Sequence, residues 1–190
     1  MTSRGRRAVF LDRDGTINID YGYVFRTADF QFIPGAPEAI RALNGAGYLV
    51  IVVTNQAGIA RGLYGESDLH ELHRYLDLEL AGYGATIDAY YYCPHHPREG
   101  REPYLKECAC RKPFPGMLLQ AAADLFLDLD ESFLVGDKRS DMDAGLAAGC
   151  RPILVQTGYG SGVDDLPSNV SRVADLMAAA QLILKGKVLT

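Results

Sequence analysis

The sequence lacks a long apolar run. No stretch of its 190 residues approaches the roughly 20 consecutive apolar residues that a membrane-spanning helix needs. The basic start MTSRGRR is typical of a signal peptide, but the apolar run that follows it, residues 8–11, is far shorter than the apolar core of such a leader. We therefore expect a cytoplasmic protein that has no membrane partner.

The sequence also lacks a long run of lysine or arginine. The formal net charge is -5 at pH 7, whereas a protein that binds the backbone of nucleic acid needs a basic face. This balance argues against nucleic acid as the main partner, and a phosphate site would need local cations. No repeat or low-complexity tract is present, and 48% of the residues are apolar. We therefore predict a single domain over residues 1–190. Because no long apolar stripe demands a partner, we expect a monomer.

Short apolar runs alternate with helical patterns along the chain. The apolar runs predict buried strands at residues 8–11, 49–53, 89–92, 133–135 and 152–155. The helical patterns cover residues 37–44, 66–80, 116–127 and 141–148. Residues 166–190 indicate a loop and a closing helix. This alternation predicts an α/β fold, a doubly wound parallel sheet.

Polar residues follow three of the predicted strands. They are Asp12, Asp14, Thr54, Asn55 and Asp137. Each alone is also typical of a helix cap or a turn. In an open parallel sheet, however, the carboxyl ends of neighbouring strands form the crevice in which ligands bind. Their joint position therefore predicts a functional site.

The residue types in this set indicate phosphoryl transfer. Three carboxylates, Asp12, Asp14 and Asp137, need a cation to lie close together, and hard oxygen ligands favour Mg²⁺ with a substrate phosphate. Asp12 would attack phosphorus, and Asp14 would donate and later accept a proton. Lys112 and the Thr54 hydroxyl would stabilise the charge on the transferring group.

The segment LDRDGT, residues 11–16, resembles the DxDGT signature of the haloacid dehalogenase superfamily of phosphotransferases. Thr54 is similar to the second motif of that superfamily, Lys112 to the third, and Asp137 with Asp141 to the fourth. The resemblance implies a Rossmannoid phosphatase fold with a small or absent cap domain.

The same resemblance implies the metal ligands. They would be the side chains of Asp12 and Asp137 and the backbone carbonyl of Asp14. Asp141 would lie behind the ligands or simply start a helix. The second role is favoured, since a carboxylate at a helix N-terminus is stabilising in any protein.

Residues 93–110 form a segment that fits no regular period. It begins with a Cys-His pair and ends with a Cys-Cys pair. Cys93 with His95 and Cys108 with Cys110 give the four N/S ligands of a closed structural zinc site. His96 is the less favoured histidine. The alternatives are a disulfide and unrelated free cysteines. A disulfide within C-x-C is awkward in geometry, and a cytoplasmic setting disfavours a longer one, so we predict a zinc-stapled loop.

Three residues outside this segment have ordinary structural interpretations. Cys150 is predicted to be a small buried apolar residue. His70 and His73 are three residues apart on a predicted helix. A solvated or half-buried helix face is favoured for them over a metal-binding pair.

The cysteine segment narrows the family. The pattern C-P-H followed by C-x-C-R-K-P resembles the heptose bisphosphate phosphatases and the histidinol-phosphate phosphatases. The run TNQAGIARG, residues 54–62, is similar to the first branch, which usually has serine where this chain has Ala57. Members of that branch remove the 7-phosphate from D-glycero-D-manno-heptose 1,7-bisphosphate, in the synthesis of nucleotide-activated heptose for lipopolysaccharide or related surface glycans.

The resemblance to this branch also implies how substrate is bound. The residues predicted to bind the sugar phosphate are Asp20, Tyr23, Asn55, Gln56, Arg111 and Lys138. Arg111 would contact the phosphate that stays on the sugar. One alternative is a histidinol-phosphate phosphatase with the same chemistry. Another is a non-catalytic, zinc-stabilised binding module, which is disfavoured because the catalytic positions are all present.

Overall fold

Six parallel strands form one sheet in the part of the chain that the computed structural model describes, residues 5–186. The strands are β1 (Ala8–Leu11), β2 (Leu49–Asn55), β3 (Ala89–Cys93), β4 (Phe133–Gly136), β5 (Arg151–Val155) and β6 (Ser171–Val173). Their order across the sheet is β3-β2-β1-β4-β5-β6. Residues 1–4 of the basic start and residues 187–190 of the predicted closing segment lie outside the described residues.

The central strand β1 explains why the sheet has two buried faces. It pairs with β2 on one side and β4 on the other, with Leu11 opposite Val52 and Val135. Val9 and Leu11 pack into one apolar cluster, whereas Ala8 and Phe10 pack into a second cluster on the opposite face. A strand that is buried on both faces is a continuous apolar run, as this one is.

Helices cover both faces of the sheet. They are α1 (Ala36–Gly45), α2 (Ala57–Ala60), α3 (Glu66–Gly82), α4 (Gly116–Leu125), α5 (Arg139–Ala148) and α6 (Leu176–Lys185). Side chains of α1, α6 and the second half of α3 pack against one face, and those of α4 and α5 against the other. The predicted doubly wound sheet is therefore confirmed. All strands of residues 5–186 belong to it, and no large cap domain interrupts these residues.

The structure differs from the sequence prediction at several element ends. Strand β6 lies inside residues 166–190, which were predicted to form only a loop and a closing helix. A three-residue edge strand that contains Ser171 and Arg172 shows no apolar pattern. Helix α5 begins at Arg139, two residues earlier than predicted, with Lys138 as its N-cap. Helix α4 ends at Leu125 because the next residue, Phe126, adopts a positive φ of 55°.

The segment between β3 and α4 contains no helix or strand. It makes one isolated bridge, between His96 and Leu105. The predicted irregular loop is therefore confirmed. In the described part of the chain, no helix is long and apolar enough to cross a membrane.

Candidate active site

The ends of three adjacent strands bring the predicted site residues together. Asp12 directly follows β1, Thr54 lies near the end of β2, and Asp137 directly follows β4. The backbone N-H of Asp12 donates to the carbonyl of Val135 at 2.9 Å, which ties the first loop residue to the neighbouring strand. All three site side chains are buried, Asp12 being 4% exposed. These residues therefore lie in the crevice that was predicted at the carboxyl end of the sheet.

Lys112 enters this crevice from the loop before α4. Its Nζ lies 2.8 Å from Asp12 Oδ1 and 2.7 Å from Asp141 Oδ1, and it donates to the Val53 carbonyl at 2.7 Å. Asn55 fixes the Lys112 main chain, since its Nδ2 donates to the carbonyl at 3.0 Å and its Oδ1 accepts from the N-H at 3.1 Å. A buried ammonium is therefore fully paired.

The two lysines determine the charge on Asp12. Burial opposes ionisation of Asp12, but Lys112 and Lys138 together hold the pKa of this carboxyl below its ordinary value. Burial also opposes the charge on Lys112, and the carboxylates of Asp12 and Asp141 raise its pKa despite this. Asp12 is thus an ionised carboxylate, the form that a nucleophile requires.

Asp137 is a fully buried carboxylate with one oxygen that accepts no hydrogen bond. Its Oδ2 accepts from the Tyr159 N-H at 2.9 Å, while its Oδ1 has no hydrogen-bond partner. Burial, and next the charge of Asp12, raises the pKa of Asp137 to about 7. Gly15 and Gly158 approach Asp137 so closely that a Cβ at either position would overlap Oδ2, and both adopt positive φ angles, 87° and 55°.

The carboxylates form a group that could hold a cation. Ligand oxygens of Asp12, Asp137 and Asp141 all lie within 4.8 Å of one another. Asp141 also accepts the Lys138 N-H at 2.9 Å, so its predicted role as a helix-start residue is confirmed. Because its other oxygen pairs with Lys112, Asp141 has a second partner that the sequence did not indicate.

Asp14 is surrounded by hydrogen-bond donors. Arg13 Nη2 lies 2.9 Å from both of its carboxylate oxygens, Asn18 Nδ2 donates at 3.0 Å, and Gln56 Nε2 donates at 3.1 Å. Arg13 is fully buried and also donates to the Val24 carbonyl at 2.5 Å. Sequence reasoning missed Arg13. The available signal was an arginine between two aspartates at the end of a buried strand.

Lys138 is the partly exposed cation of the site. Its Nζ lies 3.5 Å from Asp137 Oδ1, 3.6 Å from Asp20 Oδ2 and 4.0 Å from Asp12 Oδ2. The ammonium also lies 5.0 Å from the centre of the Tyr159 ring. Lys138 therefore links the carboxylate group to the solvent-facing side of the site.

A cavity of about 280 Å³ opens beside these groups. It is lined by Asp14, Asp20, Gly22, Tyr23, Asn55, Gln56, Ala57, Tyr64, Lys138 and Tyr159. Five of the six predicted substrate-binding residues are in this lining, and Arg111 is not. Arg111 lines a separate cavity of about 240 Å³, and its Nη1 donates to the His95 carbonyl at 3.1 Å. Tyr64 and Tyr159 belong to the lining and were not predicted.

The predicted zinc ligands lie together at the start and end of the irregular loop. Ligand atoms of Cys93, His95, Cys108 and Cys110 all lie within 4.8 Å of one another. Cys110 Sγ is 3.1 Å from Cys93 Sγ, 3.2 Å from Cys108 Sγ and 3.3 Å from His95 Nδ1. These cysteines are free thiols, so the disulfide alternative is wrong. His96 is outside the group, because its Nδ1 accepts the Glu99 N-H at 2.9 Å.

The other cysteine and histidine predictions have mixed outcomes. Cys150 is 5% exposed and packs among the apolar residues of α4 and α5, as predicted. His70 is exposed and lies 3.1 Å from the Tyr92 hydroxyl. His73 is only 5% exposed, so the predicted solvated or half-buried face is wrong for this residue. Its ring stacks on the Tyr90 ring of β3, with centroids 4.2 Å apart. His73 therefore lies on the side of α3 that contacts β3, and this contact buries the ring.

Comparison with known sequences indicates one enzyme family. The HAD-hydrolase-like family model matches residues 109–180. The chain is 46% identical over 182 residues to the D-glycero-β-D-manno-heptose-1,7-bisphosphate 7-phosphatase of Pasteurella multocida, covering 95% of this chain and 98% of that protein. It is 48% identical over 152 residues to the enzyme of the same name from Escherichia coli K12, covering 80% of each chain.

Comparison with solved structures agrees. The D,D-heptose 1,7-bisphosphate phosphatase of B. bronchiseptica, solved with magnesium and phosphate, superimposes with a TM-score of 0.86 at 38% identity, covering 95% of this chain and 99% of that one. The phosphatase of the same name from Burkholderia thailandensis gives 0.71 at 33% identity, covering 94% and 99%. These structures match nearly the whole chain. The chain therefore belongs to the heptose bisphosphate phosphatase family of the haloacid dehalogenase superfamily.

Proposed function

We propose that this chain hydrolyses the 7-phosphate of D-glycero-β-D-manno-heptose 1,7-bisphosphate through a phospho-aspartate on Asp12. One observation carries the proposal: Asp12 is a buried carboxylate paired with Lys112 Nζ at 2.8 Å, beside the cavity that Asp14 and Lys138 line. The names of the relatives supply the substrate and its β anomer. The reaction belongs to heptose metabolism and would serve lipopolysaccharide synthesis.

The site residues divide the chemistry among them. Asp12 attacks phosphorus, and the bond from phosphorus to the sugar oxygen breaks as the new Asp12 oxygen-phosphorus bond forms. Asp14 gives a proton to the leaving sugar oxygen. It later takes a proton from the water that attacks the phospho-aspartate, and this attack breaks the bond between phosphorus and the Asp12 oxygen and releases phosphate. Lys112 and the Thr54 hydroxyl stabilise the charge of the transferring group.

The carboxylate group fits Mg²⁺. Asp137 Oδ1 is buried without a hydrogen-bond partner, and three carboxylates lie together, so the donor set is hard, anionic and incompletely paired. Asp12 and Asp137 side chains with the Asp14 carbonyl would hold the ion. When bound, it would neutralise the carboxylates and polarise a phosphoryl oxygen. Asp141 is not proposed as a Mg²⁺ ligand, because its Oδ1 is ion-paired with Lys112 Nζ at 2.7 Å.

The cysteine group fits a structural Zn²⁺. Three sulfurs and one imidazole nitrogen are the donors of a closed tetrahedral site, which leaves no open position for substrate. Burial, and next the hydrogen bond with the Cys110 thiol, raises the pKa of Cys93, so a cation is needed to keep these thiols ionised together. Cys110 is two residues before Lys112, and the metal would thereby fix the chain that delivers the catalytic ammonium.

The substrate contacts form a second part of the proposal. Asp20, Tyr23 and Lys138 are available to the sugar in the cavity. Asn55 supports the site differently, since both ends of its amide bind the Lys112 main chain. Arg111 Nη1 donates to the His95 carbonyl, and the other N-H groups of the guanidinium are the proposed donors to the phosphate that stays on the sugar. An Arg111→Ala enzyme with an unchanged KM would contradict this role.

The test is magnesium-dependent phosphate release from both anomers of heptose 1,7-bisphosphate, with histidinol phosphate at equal concentration. We expect kcat/KM on the β anomer to exceed that on histidinol phosphate by at least about tenfold. A preference for histidinol phosphate would move the enzyme to that branch. No phosphate release from any of the three substrates would favour the binding-module alternative, which the complete set of catalytic positions disfavours.

Four further predictions accompany this proposal. They are a single domain over residues 1–190, a monomer, a cytoplasmic location and no nucleic-acid or membrane partner. A small phosphorylated sugar needs only the cavity described above. Gel filtration of the purified enzyme at assay concentration tests the monomer, and a dimer would contradict it.

A further inference from the structure

Both ends of the Gln56 amide are already bound within the protein. Gln56 is 2% exposed. Its Nε2 donates to Asp14 Oδ2 at 3.1 Å and to Thr54 Oγ1 at 2.7 Å. Its Oε1 accepts from the Tyr64 hydroxyl at 2.5 Å. An amide has two N-H donors and one carbonyl, so these contacts occupy the side that faces the catalytic groups and the side that faces Tyr64.

The Asp14 carboxylate and the Tyr64 hydroxyl together hold this amide in one orientation. Burial raises the pKa of Tyr64 above its ordinary value, so the hydroxyl keeps its proton and is a donor. A hydroxyl can donate or accept, but the Asp14 carboxylate only accepts, so Nε2 faces Asp14 and the Tyr64 hydroxyl donates to the carbonyl oxygen at the other end of the amide. The reverse orientation would put the amide oxygen against a carboxylate oxygen and leave two N-H groups against a hydroxyl.

The Tyr64 ring is itself held in place. It stacks on Phe25 with centroids 4.8 Å apart and planes 11° apart. On another side it contacts Gly58, where a Cβ would overlap the ring carbons. Tyr64 is 7% exposed, and its ring packs with Ile59 and Leu69. The hydroxyl is thus directed by packing, and Gly58 leaves the room that the ring needs.

We propose that Tyr64 and Gln56 are positioning residues for the proton transfer by Asp14. Tyr64 orients the Gln56 amide, and the amide holds Asp14 at the position from which it serves the sugar oxygen. This inference deepens the proposed function and rests on it. It replaces the predicted role of Gln56 in substrate recognition, because an amide bound at both ends has little left to offer a sugar.

The experiment compares two kinds of leaving group. A sugar oxygen must be protonated as it leaves, whereas p-nitrophenolate leaves without a proton, and kcat/KM reports the step that forms the phospho-aspartate. In Tyr64→Phe, which keeps the ring, we expect kcat/KM on heptose 1,7-bisphosphate to fall about tenfold and kcat/KM on p-nitrophenyl phosphate to change less than about twofold. Tyr90→Phe is the matched control, since its hydroxyl binds Asp77 at 2.6 Å on the surface, and both rates should stay unchanged.

A double variant tests whether Tyr64 acts through Gln56. In a Gln56→Leu background, Tyr64→Phe should cost no further activity on the sugar phosphate. Equal losses on both substrates, or a Tyr64→Phe effect that persists in the Gln56→Leu background, would overturn the inference. Wild-type inactivity toward the heptose would instead reject the proposed substrate, and the same comparison would then be made with another alkyl phosphate that the enzyme hydrolyses.

Discussion

The two groups of metal-type ligands in this molecule are built in opposite ways. The carboxylate group takes Asp12 and Asp137 from the ends of adjacent buried strands, so the sheet fixes its geometry. The cysteine group takes Cys108 and Cys110 from a loop with no helix or strand, and only Cys93 belongs to the sheet. The difference indicates that the sheet positions the carboxylate group, whereas the cysteine group itself stabilises the loop that contains it.

The largest expected effect is on the carboxylate group. Asp12→Asn should lower turnover by at least about 1,000-fold, because an amide is not a nucleophile toward phosphorus. The fold should survive, with a Tm within about 3 °C of wild type, since Lys112 keeps Asp141 and the Val53 carbonyl as partners. Phosphate release and thermal unfolding check the two statements. Retained turnover would reject the covalent mechanism.

The opposite result is expected for the cysteine group. Cys108→Ser should lose zinc and lower the Tm by more than about 10 °C, because a loop without regular structure loses its cross-link. Activity should fall as well, since the loop delivers Lys112. Zinc content and thermal unfolding are the measurements, and Cys150→Ala is the control that should keep its zinc. A zinc-free variant with the wild-type Tm would contradict the proposal that this group holds the loop.

The sequence was sufficient where a local pattern determines the structure. Strand β1 was predicted with its observed ends, because a four-residue apolar run between polar residues allows little else. The cysteine group was also predicted, from paired cysteines and a histidine, and two of the three grouped carboxylates, Asp12 and Asp137, were predicted from residues that follow strands. Parallel strands and metal-ligand spacing are thus strong signals in a single sequence.

The sequence was insufficient where the partner is distant along the chain. Tyr64 orients Gln56 only because Phe25 and Gly58 hold its ring, and none of these contacts has a local pattern. Likewise, the pairing of Asp141 with Lys112 joins the first turn of α5 to the loop before α4, which only the folded sheet brings together. Such contacts depend on tertiary packing, which spacing in one sequence does not encode.

A smaller effect should show whether Asp141 acts on catalysis or only on the helix. Asp141→Asn keeps an oxygen for the Lys138 N-H but removes the charge that faces Lys112. We expect kcat to fall about tenfold, because the ammonium then pairs more strongly with Asp12 and weakens it as a nucleophile. Steady-state kinetics check this. Asp143→Asn, which alters an exposed ion pair with Arg139 on the same helix, should leave kcat unchanged. An unchanged kcat in Asp141→Asn would show that Asp141 stabilises only the start of α5 and has no role in catalysis.

The smallest effect separates two sources of acid sensitivity, the cysteine group and His73. Burial, and next the charge of Arg13, lowers the pKa of His73 to about 3, against an ordinary value of 6.5. The unfolded chain therefore binds a proton that the folded chain does not, so stability falls as the pH falls from 6.5 toward 3, by about 2 kcal/mol between pH 7 and pH 5. His73→Phe keeps a ring to stack on Tyr90 and removes this loss. Urea unfolding at the two pH values should show a shallower acid slope in His73→Phe than in the exposed control His70→Phe. Because protonation of the cysteine group also releases metal, and because the pKa of Asp137 is raised to about 7, the slope that remains in His73→Phe reports these groups together. An equal slope in both variants would show that His73 is not a source of the acid sensitivity.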